Sequence, residues 1–147
     1  MSGIEASRAE KLARIEALGI DPWGGRFDGR TPIEELRGLP LNEENPPKVR
    51  AAGRIVRRRI AGKAHFLEIR DWSGTRTRRP LTGKGAAPGE TIDAWSSYIQ
   101  VMVGERQVGE QGWALAQELD LGDIVGVDGT LGKTRTGELT IFAERLH

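Results

Sequence analysis

The residues with the most chemical capacity lie between Ala52 and Gly74, in two apolar-alternating stretches that meet at Gly62-Lys63 and are crowded with cations. From Lys48 to Lys84 the chain carries twelve Lys or Arg against two acids, whereas residues 1–47 carry six against nine and residues 85–147 four against ten. The net charge of +1 hides this segregated basic band. Such a band neutralises phosphates, the usual source of nucleic-acid affinity, and Phe66 within it offers a ring on which a base can stack. Arg54, Arg57, Arg58 and Lys63 are the candidate phosphate contacts. The Lys63 ammonium is a point charge without a planar fork, better suited to phosphate than to a base edge.

Reactive chemistry finds no residues to carry it. There are no cysteines, hence neither a disulfide framework nor a thiolate metal site, and a reducing cytoplasm is the expected compartment. Two histidines, His65 and His147, cannot form a zinc site by themselves, and neither is paired with a nucleophile. Gly132-Lys133-Thr134 fails as a phosphate loop because Val127 stands where the motif needs glycine and because the segment lies between strands. Gly83-Lys84-Gly85 has no Ser or Thr after the lysine, and Asp120, Asp123 and Asp128 lack calcium-loop spacing. The expectation is binding without catalysis, with no catalytic residue, metal or cofactor. No apolar run approaches the roughly 20 residues of a membrane helix, and the acids near the N-terminus do not suit a signal peptide.

These residues need a scaffold, and the periodicity supplies one. Ile4, Leu12, Ile15 and Leu18 fall near helical spacing with Gly19 as a stop, leaving Arg8, Lys11 and Arg14 on the polar side, as a solvated face or a second RNA contact. Thr31 to Leu36 reads as a short capped turn of helix, and Asn42 to Pro47 as a linker, so residues 1–47 are a helix plus linker and a compact domain occupies 48–147. From Lys48 the period becomes two. Val49, Ala51, Gly53 and Ile55 face a core, with Gly53 marking a bend or bulge; Leu67 and Ile69 face inward, which puts Phe66 outside among charges. Ile99 to Val103 places Gln100 and Met102 outside; a helix over 112–119 and strands over 123–131 and 139–143 follow. Three strands, a helix and two strands match a mainly β, five-stranded Greek-key OB barrel, a fold whose second and third strands bind oligonucleotides.

Along this frame Gly53-Arg54, Arg58-Arg59, Gly62-Lys63, Phe66, Asp71, Gly74, Ile99-Gln100, Leu121-Gly122-Asp123 and Thr134 to Leu139 occur in order. Together with Arg8, Lys11, Leu12 and Gly19 to Pro22 in the first segment, they resemble the N-terminal anticodon-binding domain of class II lysyl-tRNA synthetases. The resemblance implies an OB barrel that grips the anticodon stem-loop of lysine tRNA and reads its splayed, uridine-rich anticodon. It gives Phe66 the stack on the central base, Arg59 and Gln100 hydrogen bonds to the base edge and neighbouring backbone, and Glu138 a contact from the start of the last strand. Duller roles compete: Phe66 as a cap on the barrel end, Gln100 as ordinary strand surface, Glu138 as a turn cap, and any of Arg57, Arg58 and Arg59 as the base reader.

The chain departs from that family in two places. Residues 75–98 are inserted where a tight hairpin is usual, either a mobile solvated excursion or, through Arg76, Arg78 and Arg79, an extension of the RNA footprint. The sequence also stops at His147, where the family continues into the catalytic domain that uses ATP and magnesium. No lysine activation is expected from this chain alone, and an excised domain, a truncated product and a free-standing binder remain open. The family's full-length enzymes are homodimers; the oligomeric state here is open. Rival readings are an anticodon domain of the aspartyl or asparaginyl type, a sequence-tolerant single-strand binder, and an incompletely represented ligase.

Overall fold

The computed structural model describes residues 3–22, 24, 26–80 and 85–147, and their side chains except at 3, 4, 76, 77, 79 and 92–95. Helices α1 (Gly3–Ala17) and α2 (Ile33–Arg37) precede strands β1 (Lys48–Ala61), β2 (Ala64–Arg70), β3 (Arg76–Pro80), β4 (Thr91–Trp95) and β5 (Tyr98–Gly104). Helix α3 (Glu105–Glu118) then leads to β6 (Ile124–Lys133) and β7 (Leu139–Leu146). Five strands close a barrel in the order β1-β2-β5-β7-β6. Its pairings are antiparallel except that of β5 with β7. This is the mainly β barrel expected, with a helix before it and another between its third and fourth strands.

Alternation decides which way each strand faces. Leu67 and Ile69 on β2 and Ile99, Val101 and Val103 on β5 are buried, each such aliphatic contributing about 1.5–3 kcal/mol to the core. Phe66, Gln100 and Met102, on the opposite parity, are only half-buried. Strand β1 serves both of its neighbours, pairing with β6 over Lys48–Arg54 and with β2 over Arg54–Ala61. Its bulge falls between Ile55 and Arg57, not at Gly53. The glycine has another cause: a Cβ there would lie 2.7 Å from the Arg70 carbonyl oxygen, so it admits the crossing backbone of β2.

The segment before the barrel is fastened by contacts distant in sequence. Ile15 of α1 is buried, Lys11 Nζ donates to Asp123 Oδ2 at 2.6 Å, and Arg14 Nε donates to Glu118 Oε1 at 2.8 Å. Two cations of the presumed polar side therefore dock the helix, while Arg8 is exposed; the side chain of Ile4 lies outside the described residues. Helix α2 buries Ile33 and Leu36 completely. Its cap is not local, since Pro32 occupies the N-cap without a side-chain bond. The Ile33 N–H instead donates to Asp71 Oδ2 at 2.8 Å and that of Glu34 to Ser73 Oγ at 3.1 Å, satisfying orphan donors from the far end of β2.

Helix α3 starts at Glu105 rather than Gly112, and Gly109, at φ 76°, breaks it after the first turn. Leu115 and Ala116 point into the core. In the insertion, β3 and β4 pair with each other from Arg76 opposite Trp95 to Pro80 opposite Thr91. The excursion thus has a paired base, closed where Ser96 N–H donates to the Thr75 carbonyl at 2.7 Å.

Candidate nucleic-acid interface

Register gathers the candidate residues into rows on the outer surface of the barrel. Arg59 pairs with Phe66, and Phe66 with Met102. One step along, Arg57 is opposite Glu68, Glu68 opposite Gln100, and Gln100 opposite Thr140. Phe66 and Gln100 are therefore diagonal neighbours on one face, within reach of long side chains but not directly opposed. The Arg59 guanidinium carbon lies 4.3 Å from the centroid of the Phe66 ring. Gln100 Nε2 donates to Thr140 Oγ1 at 3.0 Å, and that hydroxyl donates to the Glu138 carbonyl at 2.9 Å, a chain that orients the amide.

The bulge separates three arginines that are adjacent in sequence. Arg57 and Arg59 stand with Glu68 and Phe66 on the outer face and are exposed. Arg58 pairs with Leu67, shares the inward parity, and has a buried Nε. It turns toward His65, which is buried and meets Trp113 of α3 edge-on at 4.8 Å between ring centroids. Burial, and secondarily the charge of Arg58, push the His65 imidazole below its ordinary value. Arg58, called a phosphate contact from the sequence, therefore lies on the side of His65 rather than with Arg57 and Arg59.

The remaining candidates frame this face. Lys63 is exposed at the hairpin, where Gly62 at φ 60° supplies the left-handed conformation that a two-residue turn needs. Arg54 is exposed opposite Arg70. Glu138 has two parts to play: its carbonyl accepts from the Thr134 N–H at 3.0 Å, closing the turn, while its side chain lines a depression of about 470 Å3 with Arg37, Leu41 and Lys133. Arg78 is exposed, with Nε donating to Thr91 Oγ1 at 3.1 Å; the side chains of Arg76 and Arg79 lie outside the described residues, as does Lys84. Sequence reasoning missed Arg37, which donates to the Tyr98 carbonyl at 2.7 Å and sits 4.3 Å from that ring, because nothing local links α2 to β5.

A second aromatic cluster lies on the seam between the first segment and the barrel. Phe27 lies against Gly126, where a Cβ would come within 2.9 Å of the ring, and Arg50 lies 4.4 Å over its centroid. Arg50 grips Asp128 with two bonds, Nε to Oδ1 at 2.7 Å and Nη2 to Oδ2 at 2.9 Å. His147 completes the cluster, 4.7 Å from Phe27 between centroids and 2.7 Å from Asp128 Oδ2.

No family model matches the chain. It is 37% identical over 137 residues to a lysine–tRNA ligase of Pelotomaculum thermopropionicum, covering 93% of this chain and 22% of that protein. Lysine–tRNA ligases of Staphylococcus saprophyticus and Dehalococcoides mccartyi are 37% and 34% identical, covering 93% and 97% of this chain and 25% of each relative. The chain thus spans about a quarter of the length of the relatives it matches, and the resemblance to a domain of lysyl-tRNA synthetases is borne out.

Proposed function

We propose that this chain is a tRNA anticodon-binding domain that reads the uridine-rich loop of a lysine tRNA. The observation that carries the reading is the row Arg59–Phe66 with Gln100 diagonal to it, on the outer face of a closed barrel whose relatives are lysine–tRNA ligases. Unstacked RNA bases are recognised by aromatic stacking and by bonds to the Watson–Crick edge. Phe66 provides the ring, and the carboxamide of Gln100 carries a donor and an acceptor that match the acceptor and donor of a uracil edge. Arg59 covers Phe66 through a cation–π contact worth about 0.5–1 kcal/mol at an exposed site. A base stack is worth about 1–3 kcal/mol. The incoming base therefore displaces the guanidinium, which is then free for the base edge or the neighbouring phosphate.

Arg57, Arg54 and Lys63 supply sequence-independent attraction, Glu138 contacts the loop from the start of β7, and the hairpin carrying Arg78 extends the footprint along the stem. The role belongs to the cytoplasm, beside a catalytic domain that would supply the ATP-dependent step. Titration of the chain with a lysine-type anticodon stem-loop and with a variant changed at the central uridine tests the reading. The expected result is at least tenfold preference for the matched loop. Equal affinity for oligouridine and oligocytidine loops would identify a sequence-tolerant single-strand binder instead.

A further inference from the structure

The outer face holds a second ring. The row that starts with Arg59 and Phe66 continues through Met102 on β5 to Phe142 on β7 and ends at Thr130 on β6. Ile141 and Ala143 are buried, so Phe142 takes the outward parity and, like Met102, is half-buried. On the adjacent strand Gly132 leaves the backbone bare beneath it: a Cβ there would lie 3.1 Å from Phe142 Cε2 and 3.7 Å from Cδ2. Gly132 is not among the glycines with positive φ, so the ring and not the backbone conformation accounts for its small size.

Phe27 rests on Gly126 of the same strand in a similar way, but Arg50 and His147 cover it. Among the described residues no ring or cation stacks on Phe142. The far end of the row is electrically closed, since Thr130 Oγ1 donates at 3.2 Å to Glu144, which is paired with Lys48. The near end is cationic, with Arg57 and Arg59 exposed. A strand of phosphates is attracted at one end of the row and finds an uncovered apolar surface at the other.

We infer that Phe142, seated on Gly132, is a second stacking platform, which takes a base neighbouring the one on Phe66, with Met102 as the apolar bridge between them. The inference rests on the anticodon reading above and adds to it a second base-binding position. Strands β2 and β7 are separated by β5 alone, so the strands that carry the two rings run about 10 Å apart, twice the spacing of paired strands. The ligand is a single-stranded RNA loop with two unstacked bases, the thioether of Met102 offering a polarisable floor between them.

The test uses anticodon stem-loops carrying 2-aminopurine at each position flanking the central base, titrated with the whole chain. At one flanking position wild-type protein should quench the probe. Phe142→Leu, which keeps apolar bulk, should relieve that quench and weaken binding roughly 5- to 160-fold, the range of one base stack, while Phe142→Trp restores both. Gly132→Ala, which lifts the ring from its seat, should act in the same direction. If Phe142→Leu binds within twofold of wild type with the quench intact while Phe66→Leu loses binding, the second platform is overturned and the anticodon reading survives. Loss in Phe142→Leu that Phe142→Trp fails to restore assigns the ring to packing and also overturns the platform. Wild-type protein that binds none of the loops removes both.

Discussion

Arg59 on Phe66 and Arg50 on Phe27 are nearly the same local object, with guanidinium carbons 4.3 and 4.4 Å from the ring centroids. Their surroundings differ. Arg50 is held by both oxygens of Asp128 and donates Nη1 to the Asp28 carbonyl at 3.0 Å, and His147 closes the other side. Its charge is matched within the protein, and the cluster fastens the first segment to β6. Arg59, among the described residues, has the ring but no carboxylate partner. A matched cation makes a joint, whereas the unmatched one beside a ring is the docking point under the proposed function; charge balance, not the ring geometry, separates them.

Exchanging the two rings gives the largest effects. Phe27→Ala should lower folding stability by about 2 kcal/mol, below the roughly 3–5 kcal/mol of a fully buried ring because Phe27 is half-buried. RNA affinity should stay within twofold of wild type. Phe66→Ala should do the reverse, losing about 1–3 kcal/mol of loop binding with little change in the melting transition. Urea unfolding and filter binding on the same two variants measure the four quantities. Equal losses for matched and mismatched loops in Phe66→Ala would remove the base stack, and a seam variant that weakens RNA more than it destabilises the fold would erase the distinction.

Acid should separate the same two regions. Asp128 is held below its ordinary value of 3.8 chiefly by the hydrogen bonds from Arg50, with burial opposing and His147 assisting. A depressed carboxylate stabilises the fold above its unfolded value and loses that contribution as pH falls through the folded one, so the seam weakens only below about pH 4. His65 is a base whose folded value lies below its ordinary 6.5, through burial first and the Arg58 charge second. Here the unfolded chain takes up protons before the folded one does, so stability is complete above pH 6.5 and declines as pH falls below it. Melting temperatures from pH 8 to 5 should therefore drop in wild type and stay flatter in His65→Phe, an aromatic replacement that does not titrate. Equal slopes for the two proteins would assign the acid loss to other groups.

The contrast also explains what could be read from the sequence. Period-two alternation identified the five barrel strands, though not β3 and β4, and put Phe66 and Gln100 outside because a closed barrel forces inward and outward positions on every strand. The same reasoning applied to Leu139–Leu146 would have turned Phe142 outward, since Ile141 and Ala143 are its inward neighbours. The seam was not legible. Phe27, Arg50, Asp128 and His147 come from four distant stretches, and His147 had no visible role before Asp128 and Phe27 were placed beside it. The cap of α2 was hidden for the same reason, its acceptors lying 38 and 39 positions away. A bulge has no reliable signature in a run of arginines, so Arg57, Arg58 and Arg59 looked equivalent until one extra residue on β1 reversed the parity between Ile55 and Arg57.

That reversal yields the smallest prediction and the one most specific to the bulge. Each arginine that neutralises a phosphate contributes to the salt dependence of binding, with a slope near −0.7 per contact on single strands and −0.9 on duplex. Arg57, exposed on the outer face, should account for about one such contact. Arg57→Ala is expected to flatten the plot of log affinity against log salt by about that amount and to weaken matched and mismatched loops alike. Arg58→Ala should leave the slope unchanged, because its side chain turns inward beside His65, and it should instead raise the His65 value toward 6.5 and shift the acid limb of the melting curve. Two adjacent arginines would then report on different observables, one on salt and the other on pH. A salt slope that falls equally in both variants would mean that β1 carries no functional bulge when RNA is bound, and the charge comparison between the two faces would need a different geometry.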